Sequence, residues 1–250
     1  MNPLKIFVHG VPDSPKVWSP LVHELSLDAS QVRVPALPGI GEPAPQGIDA
    51  TKDGYAQWLI RQVENAYRER GPVDIFGHDW GAILTLRVAS LRPELFRTWT
   101  VSNAIIEPGY HGHVVARCWN TPLIGELMMK LTSSFALERG LISGGLPAEL
   151  AADDARRWRA GFAKRNILAL YRSANGLRFR GAWLEGLAGL PPRGMVVWGE
   201  NDPYVGIAVA RRFCAARDVP LAVIRDAGHW AICQRPAEVA SLLTNHWAAS

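Results

Sequence analysis

Short apolar runs alternate with stretches of helical spacing at both ends of this chain, and the middle is helical throughout. Strands are predicted over 4–8, 31–35, 73–76, 98–102, 193–198 and 221–224, where apolar residues cluster in runs too short for helices. Between them, apolar positions recur at helical spacing over 18–25, over 53–70 (Tyr55, Leu59, Val63, Ala66), over 82–89 and over 236–247. A Pro- and Gly-rich loop opens at Leu37 and runs to about Ala50. Strands alternating with helices imply a mostly parallel sheet covered on both faces. From 105 to 187 no strand pattern appears. Helical stretches are predicted there over 113–119, 124–131, 153–162 and 167–177, with a Gly-rich break over 140–147. The organisation expected is a core of 1–104 and 188–250 with a helical lid over 105–187.

One junction carries chemistry. The strand ending at Phe76 runs into Gly77-His78-Asp79-Trp80-Gly81, and a helical stretch follows at once. This is the strand–turn–helix layout that elsewhere displays a nucleophilic serine between two glycines, here with aspartate in the serine's place. Gly77 and Gly81 suit a turn so tight that a Cβ would strike backbone. A carboxylate at the helix N-terminus is held ionised by the free N–H groups. An ionised carboxylate needs no base. It can displace a leaving group from saturated carbon and form an alkyl ester, which a histidine-activated water then cleaves. The plain alternative, an aspartate that only caps the helix, does not account for the flanking glycines.

Composition narrows the field. The chain has 250 residues, 48% hydrophobic and 20% charged, which suits one domain with an inserted subdomain. No apolar run reaches the ~20 residues of a membrane span, and no basic-then-apolar leader opens the chain, so no membrane partner is expected. Cys118, Cys214 and Cys233 are odd in number and lack metal-ligand spacing, as in reduced thiols of a cytoplasmic protein. His111 and His113 form an H-x-H pair with no acidic or cysteine neighbour, so no metal and no cofactor are expected. The net charge is +4, but basic residues are interleaved with apolar ones, which argues against a nucleic-acid partner.

Asp202 and His229 complete the pattern. Asp202 lies in Gly199-Glu200-Asn201-Asp202-Pro203 and His229 in Gly228-His229-Trp230, each in a loop after a strand. The order nucleophile, acid, histidine matches catalytic triads on doubly wound sheets, whose ligands sit beyond the carboxyl ends of the strands. His9-Gly10-Val11-Pro12 follows the first strand, and there the Val11 N–H is placed to pair with the Trp80 N–H as an oxyanion hole. Asp13 reads equally as a site residue or as part of an Asp13-Ser14-Pro15 turn.

These four segments, spread over nearly the whole chain, resemble the α/β-hydrolase superfamily. The His-Asp-Trp-Gly elbow is similar to its aspartate-nucleophile branch, the epoxide hydrolases and haloalkane dehalogenases. The resemblance implies Asp79 as nucleophile, His229 as the water-activating base and Asp202 as the carboxylate that orients it. It implies water as a reaction partner, and the Trp, Leu, Ile and Met of the lid, with no cluster of arginines at the strand ends, point to a hydrophobic small molecule as the other. A start at Leu4 implies an N-terminally shortened sheet with an exposed edge, and hence a possible homodimer.

The leaving group separates the two activities. Epoxide opening needs an O–H donor, and Leu170-Tyr171-Arg172 resembles the lid segment in which an epoxide hydrolase carries its catalytic tyrosine. Tyr110, early in the lid, is the candidate for a second donor. Dehalogenation needs N–H donors, for which Trp80 with Trp119 or Trp183 would serve. Thr121 to Leu127 resembles early lid segments of dehalogenase-related proteins, whereas Val11 stands where many dehalogenases carry a polar residue. The lid tryptophans Trp119, Trp158 and Trp183 read as cavity walls or, in preference, as the lid's own core. A lyase or a non-catalytic binding protein is the other class that this fold hosts.

Overall fold

In the computed structural model, which describes residues 3–249, the apolar runs become the six strands of one sheet. The first half contains β1 (Lys5–Val8), a 3₁₀ turn (Pro15–Trp18), α1 (Ser19–Glu24), β2 (Val32–Arg33), α2 (Lys52–Arg70), β3 (Val73–His78), α3 (Trp80–Leu91) and β4 (Phe96–Ser102). Six helices follow without a strand: α4 (Val114–Asn120), α5 (Ile124–Leu131), α6 (Ser134–Ser143), α7 (Ala148–Ala160), α8 (Phe162–Ser173) and α9 (Ala182–Glu185). The sheet resumes with β5 (Gly194–Gly199), α10 (Ile207–Arg217), β6 (Leu221–Ile224), α11 (Ala231–Gln234) and α12 (Pro236–Ala248).

The strand order is β2-β1-β3-β4-β5-β6, and every pair is parallel, not merely most of them. The central strands are buried on both faces, which is why they read as continuous apolar runs. Successive side chains divide between two cores. Ile6, Val8, Ile75 and Val101 pack with Leu59 of α2, Ile83 of α3 and Phe213 of α10. Phe7, Phe76 and Val197 pack on the other face with Leu21 of α1 and Val239 and Leu243 of α12. The outer strand β2 is only two residues long, because Pro35 cannot extend the ladder. So short an edge is a poor template for strand pairing.

Four details depart from the sequence pattern. The first half of the expected break over 140–147 is helix: α6 runs to Ser143, started by Ser133, whose hydroxyl accepts from the Ala136 N–H. Only 144–147 remains a turn, with Gly145 at a φ of 103°. α7 begins at Ala148, ahead of the pattern, and stops at Gly161 in the left-handed conformation. α8 accordingly starts at Phe162 and ends at Ser173. α10, weakly amphipathic in sequence, fills the space between Asp202 and β6. Among the described residues no helix is long and apolar enough to cross a membrane.

Candidate active site

Asp79 sits at the tip of β3 with φ 50° and ψ −125°, a strained conformation for a residue with a side chain. Close packing enforces it. A Cβ on Gly77 would lie 2.2 Å from the Gly81 carbonyl oxygen, and one on Gly81 would lie 2.0 Å from the Val8 oxygen. On the facing loop, a Cβ on Gly10 would fall 2.4 Å from Asp79 Oδ1. Glycine at Gly10 therefore lets the β1 loop close over the carboxylate. The Val11 N–H then donates to Asp79 Oδ1 at 2.9 Å. His9 steadies that loop, since its Nδ1 lies 2.8 Å from the Gly10 oxygen and its Nε2 accepts from the Leu37 N–H. Burial lowers the His9 pKa to about 4, so it is the neutral ring that does this.

His229 lies opposite. Its Nε2 is 3.6 Å from Asp79 Oδ2, and its Nδ1 is 2.8 Å from Asp202 Oδ2. The same Oδ2 accepts from Asn103 Nδ2 at 2.8 Å, while Asp202 Oδ1 accepts from the N–H groups of Tyr204 and Val205. Every lone-pair direction of Asp202 is thus occupied, which locks the carboxylate and hence the imidazole ring. Burial opposes charge on His229, yet the Asp202 and Asp79 carboxylates outweigh it and raise its pKa to about 10. Burial likewise pushes Asp79 upward, but the hydrogen bond and charge of His229 hold it below the ordinary carboxylate range. The resting site is an imidazolium between two carboxylates.

Asp79 and His229 open onto a cavity of about 210 Å³, roofed by the lid helices and lined mainly by apolar side chains. Tyr171 of α8 lines it, buried, with its ring edge-on to Trp80 (5.3 Å between centroids) and Trp119 (5.0 Å). Burial and the nearby Asp79 charge raise the Tyr171 pKa well above the phenol range, so its O–H stays protonated. Tyr110 also lines the cavity, and its hydroxyl donates to the Tyr204 carbonyl at 3.2 Å. Val11 and Trp119 share the wall. The indole of Trp80 is fully buried and lies outside the cavity lining, and its N–H serves the Tyr171 phenol, opposing the burial that raises that group's pKa.

Trp183 does not join the site, and its assignment as a substrate-binding residue is corrected. Its Nε1 donates to Asp53 Oδ1 at 2.7 Å, its ring stacks on Phe179, and Lys52 Nζ lies 4.8 Å from the ring centroid. It clamps α9 to α2 instead. Asp13 is buried beside the site, accepting from Trp230 Nε1 at 3.2 Å rather than capping an exposed turn. His111 and His113 part company. His111 is exposed, whereas His113 lines the cavity and its Nδ1 accepts from the Ala116 N–H to start α4. No group of three metal-ligating side chains occurs among the described residues.

Sequence reasoning missed three residues. Asn103 follows β4 with φ 56°, and the signal for it was a polar residue at the carboxyl end of a strand. Tyr204 packs edge-on against His229 at 5.0 Å and lines the cavity. Nothing distinguished its position from an ordinary loop aromatic. His113 was weighed only as a metal ligand.

The model of the α/β hydrolase family matches residues 6–242. The chain belongs to that family. This α/β hydrolase is 22% identical over 97% of its length to epoxide hydrolase 3 of Xenopus tropicalis, 70% of which is covered. It is 25% identical over 68% of its length to a haloalkane dehalogenase of Bradyrhizobium diazoefficiens, covering 60% of that protein. A third relative, (E)-2-((N-methylformamido)methylene)succinate hydrolase of Acinetobacter baylyi, is 27% identical over 107 residues, which is 37% of its length. Among solved structures, a haloalkane dehalogenase of Bradyrhizobium elkani superposes with a TM-score of 0.76 at 20% identity, over 99% of this chain and 92% of that one. 2-Hydroxy-6-oxo-6-phenylhexa-2,4-dienoate hydrolase of Rhodococcus gives 0.79 at 18% identity, over 99% and 91%. These likenesses establish the fold.

Proposed function

We propose that this α/β hydrolase opens a hydrophobic small-molecule epoxide through a covalent ester on Asp79. The observation that carries the reading is a carboxylate at the elbow, bonded by Val11 N–H on one side and facing both His229 and the lid tyrosine Tyr171. Oδ1 is tied to the Val11 N–H, so Oδ2 is the attacking oxygen. It bonds to an epoxide carbon as the ring C–O bond breaks, and the ring oxygen takes the Tyr171 phenol proton.

Esterification then changes the electrostatics. Asp79 loses its negative charge, which was one of the interactions holding the His229 proton. The imidazole pKa falls and the ring releases a proton to the phenolate through the product hydroxyl or solvent. Neutral His229 next takes a proton from water, whose oxygen attacks the ester carbonyl carbon. Charge builds on Oδ1, where the Val11 N–H already donates. Collapse breaks the bond between the carboxyl carbon and Oδ2, and the diol leaves with that oxygen and the His229 proton. The water oxygen remains in Asp79, whose new carboxyl proton passes to His229 and restores the imidazolium. Epoxide and water enter, and a diol leaves.

A specific observation supports a second reading, dehalogenation. A departing halide would draw on the Trp80 Nε1–H that otherwise serves the neighbouring Tyr171 hydroxyl. A panel of alkyl and aryl epoxides assayed beside chloro- and bromoalkanes separates the two. Diol formation is expected from the epoxides. Halide release without diol would make the protein a dehalogenase, and turnover of neither would favour a lyase or a binding role.

A further inference from the structure

The lid helices that roof the cavity are apolar on their outer side as well. α4, α5 and α6 contribute Trp119, Met128 and Leu137 to the cavity wall. Their opposite face leaves Leu127 55%, Leu131 70% and Phe135 68% exposed, with Leu123 at 82%. Ile124, Leu127 and Leu131 recur three and four residues apart, so they form one stripe along α5. Among the described residues, the only large exposed hydrophobic side chains outside 114–142 are Tyr67 and Leu91. An apolar patch so concentrated marks an interaction surface rather than ordinary scatter.

Charge says what covers it. Between 105 and 187 eleven Lys and Arg stand against seven Asp and Glu, so this stretch carries the chain's entire formal excess of +4 and the remainder balances. Arg117, Lys130 and Arg139 are exposed on the three helices themselves, and the Arg139 guanidinium lies 5.8 Å from the Phe135 ring centroid. Glu126 pairs at two points with Arg172, so the unpaired charges of α4, α5 and α6 are Arg117, Lys130 and Arg139 against Glu138, a net of +2. An apolar stripe flanked by basic side chains is the pattern of helices that lie in the headgroup layer of a membrane. A second copy of the chain fits less well, because a symmetric contact would press two positive lids together.

The cavity opens towards this face. Ala136 and Gly140 line the cavity and are themselves exposed, and they alternate along α6 with Phe135 and Arg139. We propose that the outer face of α4, α5 and α6 docks on an anionic lipid surface, with the cavity mouth turned towards the acyl layer.

Flotation of the full chain with lipid vesicles tests this. Binding is expected to vesicles of phosphatidylcholine containing phosphatidylglycerol at about one part in three, and it should weaken as salt is raised. Leu127→Ser with Leu131→Ser should weaken it about tenfold or more. Neither residue lines the cavity or the core, so the circular-dichroism spectrum and melting temperature should stay unchanged and certify the fold. Lys130→Glu with Arg139→Glu, which leaves the apolar face intact, should remove the preference for anionic vesicles. Absence of vesicle binding would overturn the proposal, and so would equal binding to pure phosphatidylcholine. Self-association abolished by the leucine changes, without vesicle binding, would assign the face to a second copy instead. Flotation needs no substrate, so failure of the epoxide reading would leave its result standing.

Discussion

At the scale of single residues, the chemistry turns on which groups hold charge and which hold a proton. In the proposed reaction Tyr171 is the proton donor, and burial and the Asp79 carboxylate keep its proton in place. Tyr171→Phe removes the donor while keeping the ring that packs on Trp80 and Trp119. Epoxide turnover should fall by about 10²-fold or more, with the folded state intact; an unchanged single-turnover rate would take Tyr171 out of the reaction. Asn103 acts one step away. Its amide donates to Asp202 and is among the interactions that hold that carboxylate below its ordinary pKa against the opposing effect of burial. Asn103→Ala should therefore raise the Asp202 pKa. The acid limb of the kcat/KM profile should move to higher pH, because Asp202 now gains its proton sooner as pH falls. A lower plateau with an unmoved limb would mean that Asn103 matters only for packing. The sequence made Asp79, Asp202 and His229 legible because each stands beside turn-forming residues after a strand. It left Tyr204 and Asn103 obscure, since their importance comes only from which strand ends lie adjacent in the sheet.

At the scale of elements, α7 is the pin between lid and core. Arg157 donates to the carbonyl oxygens of Pro12, Asp13 and Ile40, each at 3.2 Å, and also pairs with Asp154. Asp154 and Asp13 are both buried. Burial and each carboxylate's repulsion of its neighbours raise Asp154 to about 8 and Asp13 to about 6, Asp79 being the charge that acts on Asp13. Raised carboxylate pKa values mean that the folded state binds protons which the unfolded chain releases. Their contribution to stability is therefore full below the unfolded pKa near 4 and is lost as pH rises to about 8. The melting temperature should decline across that window. Asp154→Asn should remove most of this decline but not the part due to His229, whose raised pKa loses its stabilisation between 6.5 and about 10. An identical pH slope in the variant would show that Asp154 does not carry the raised pKa. The elements themselves were unevenly legible. Strands buried on both faces announce themselves as apolar runs. α6 did not, because Gly140 and the serines at its start argue against helix while its packing over the cavity imposes one. Trp183 was misplaced for a similar reason: nothing local says which side a four-residue helix such as α9 presents.

At the scale of the whole molecule, the sheet supplies the charged groups and the lid supplies the phenol and the apolar walls. Neither part alone encloses the cavity. The parallel sheet was legible from the alternation of strands with helices, and so was the end of it at which Asp79, Asp202 and His229 meet. The volume and wall chemistry of the cavity were not, because they depend on how the lid helices settle over the strand ends. The central claim is that Asp79 becomes covalently attached to substrate, and replacing the base isolates that step. Asp79 needs no deprotonation to attack, whereas ester hydrolysis needs His229. His229→Gln should therefore react with a reactive epoxide and stop, and intact-mass spectrometry should find the protein heavier by the mass of that epoxide, with the label on the peptide containing Asp79. Unmodified His229→Gln protein that still yields diol would mean that water attacks the epoxide directly and that Asp79 is not the nucleophile.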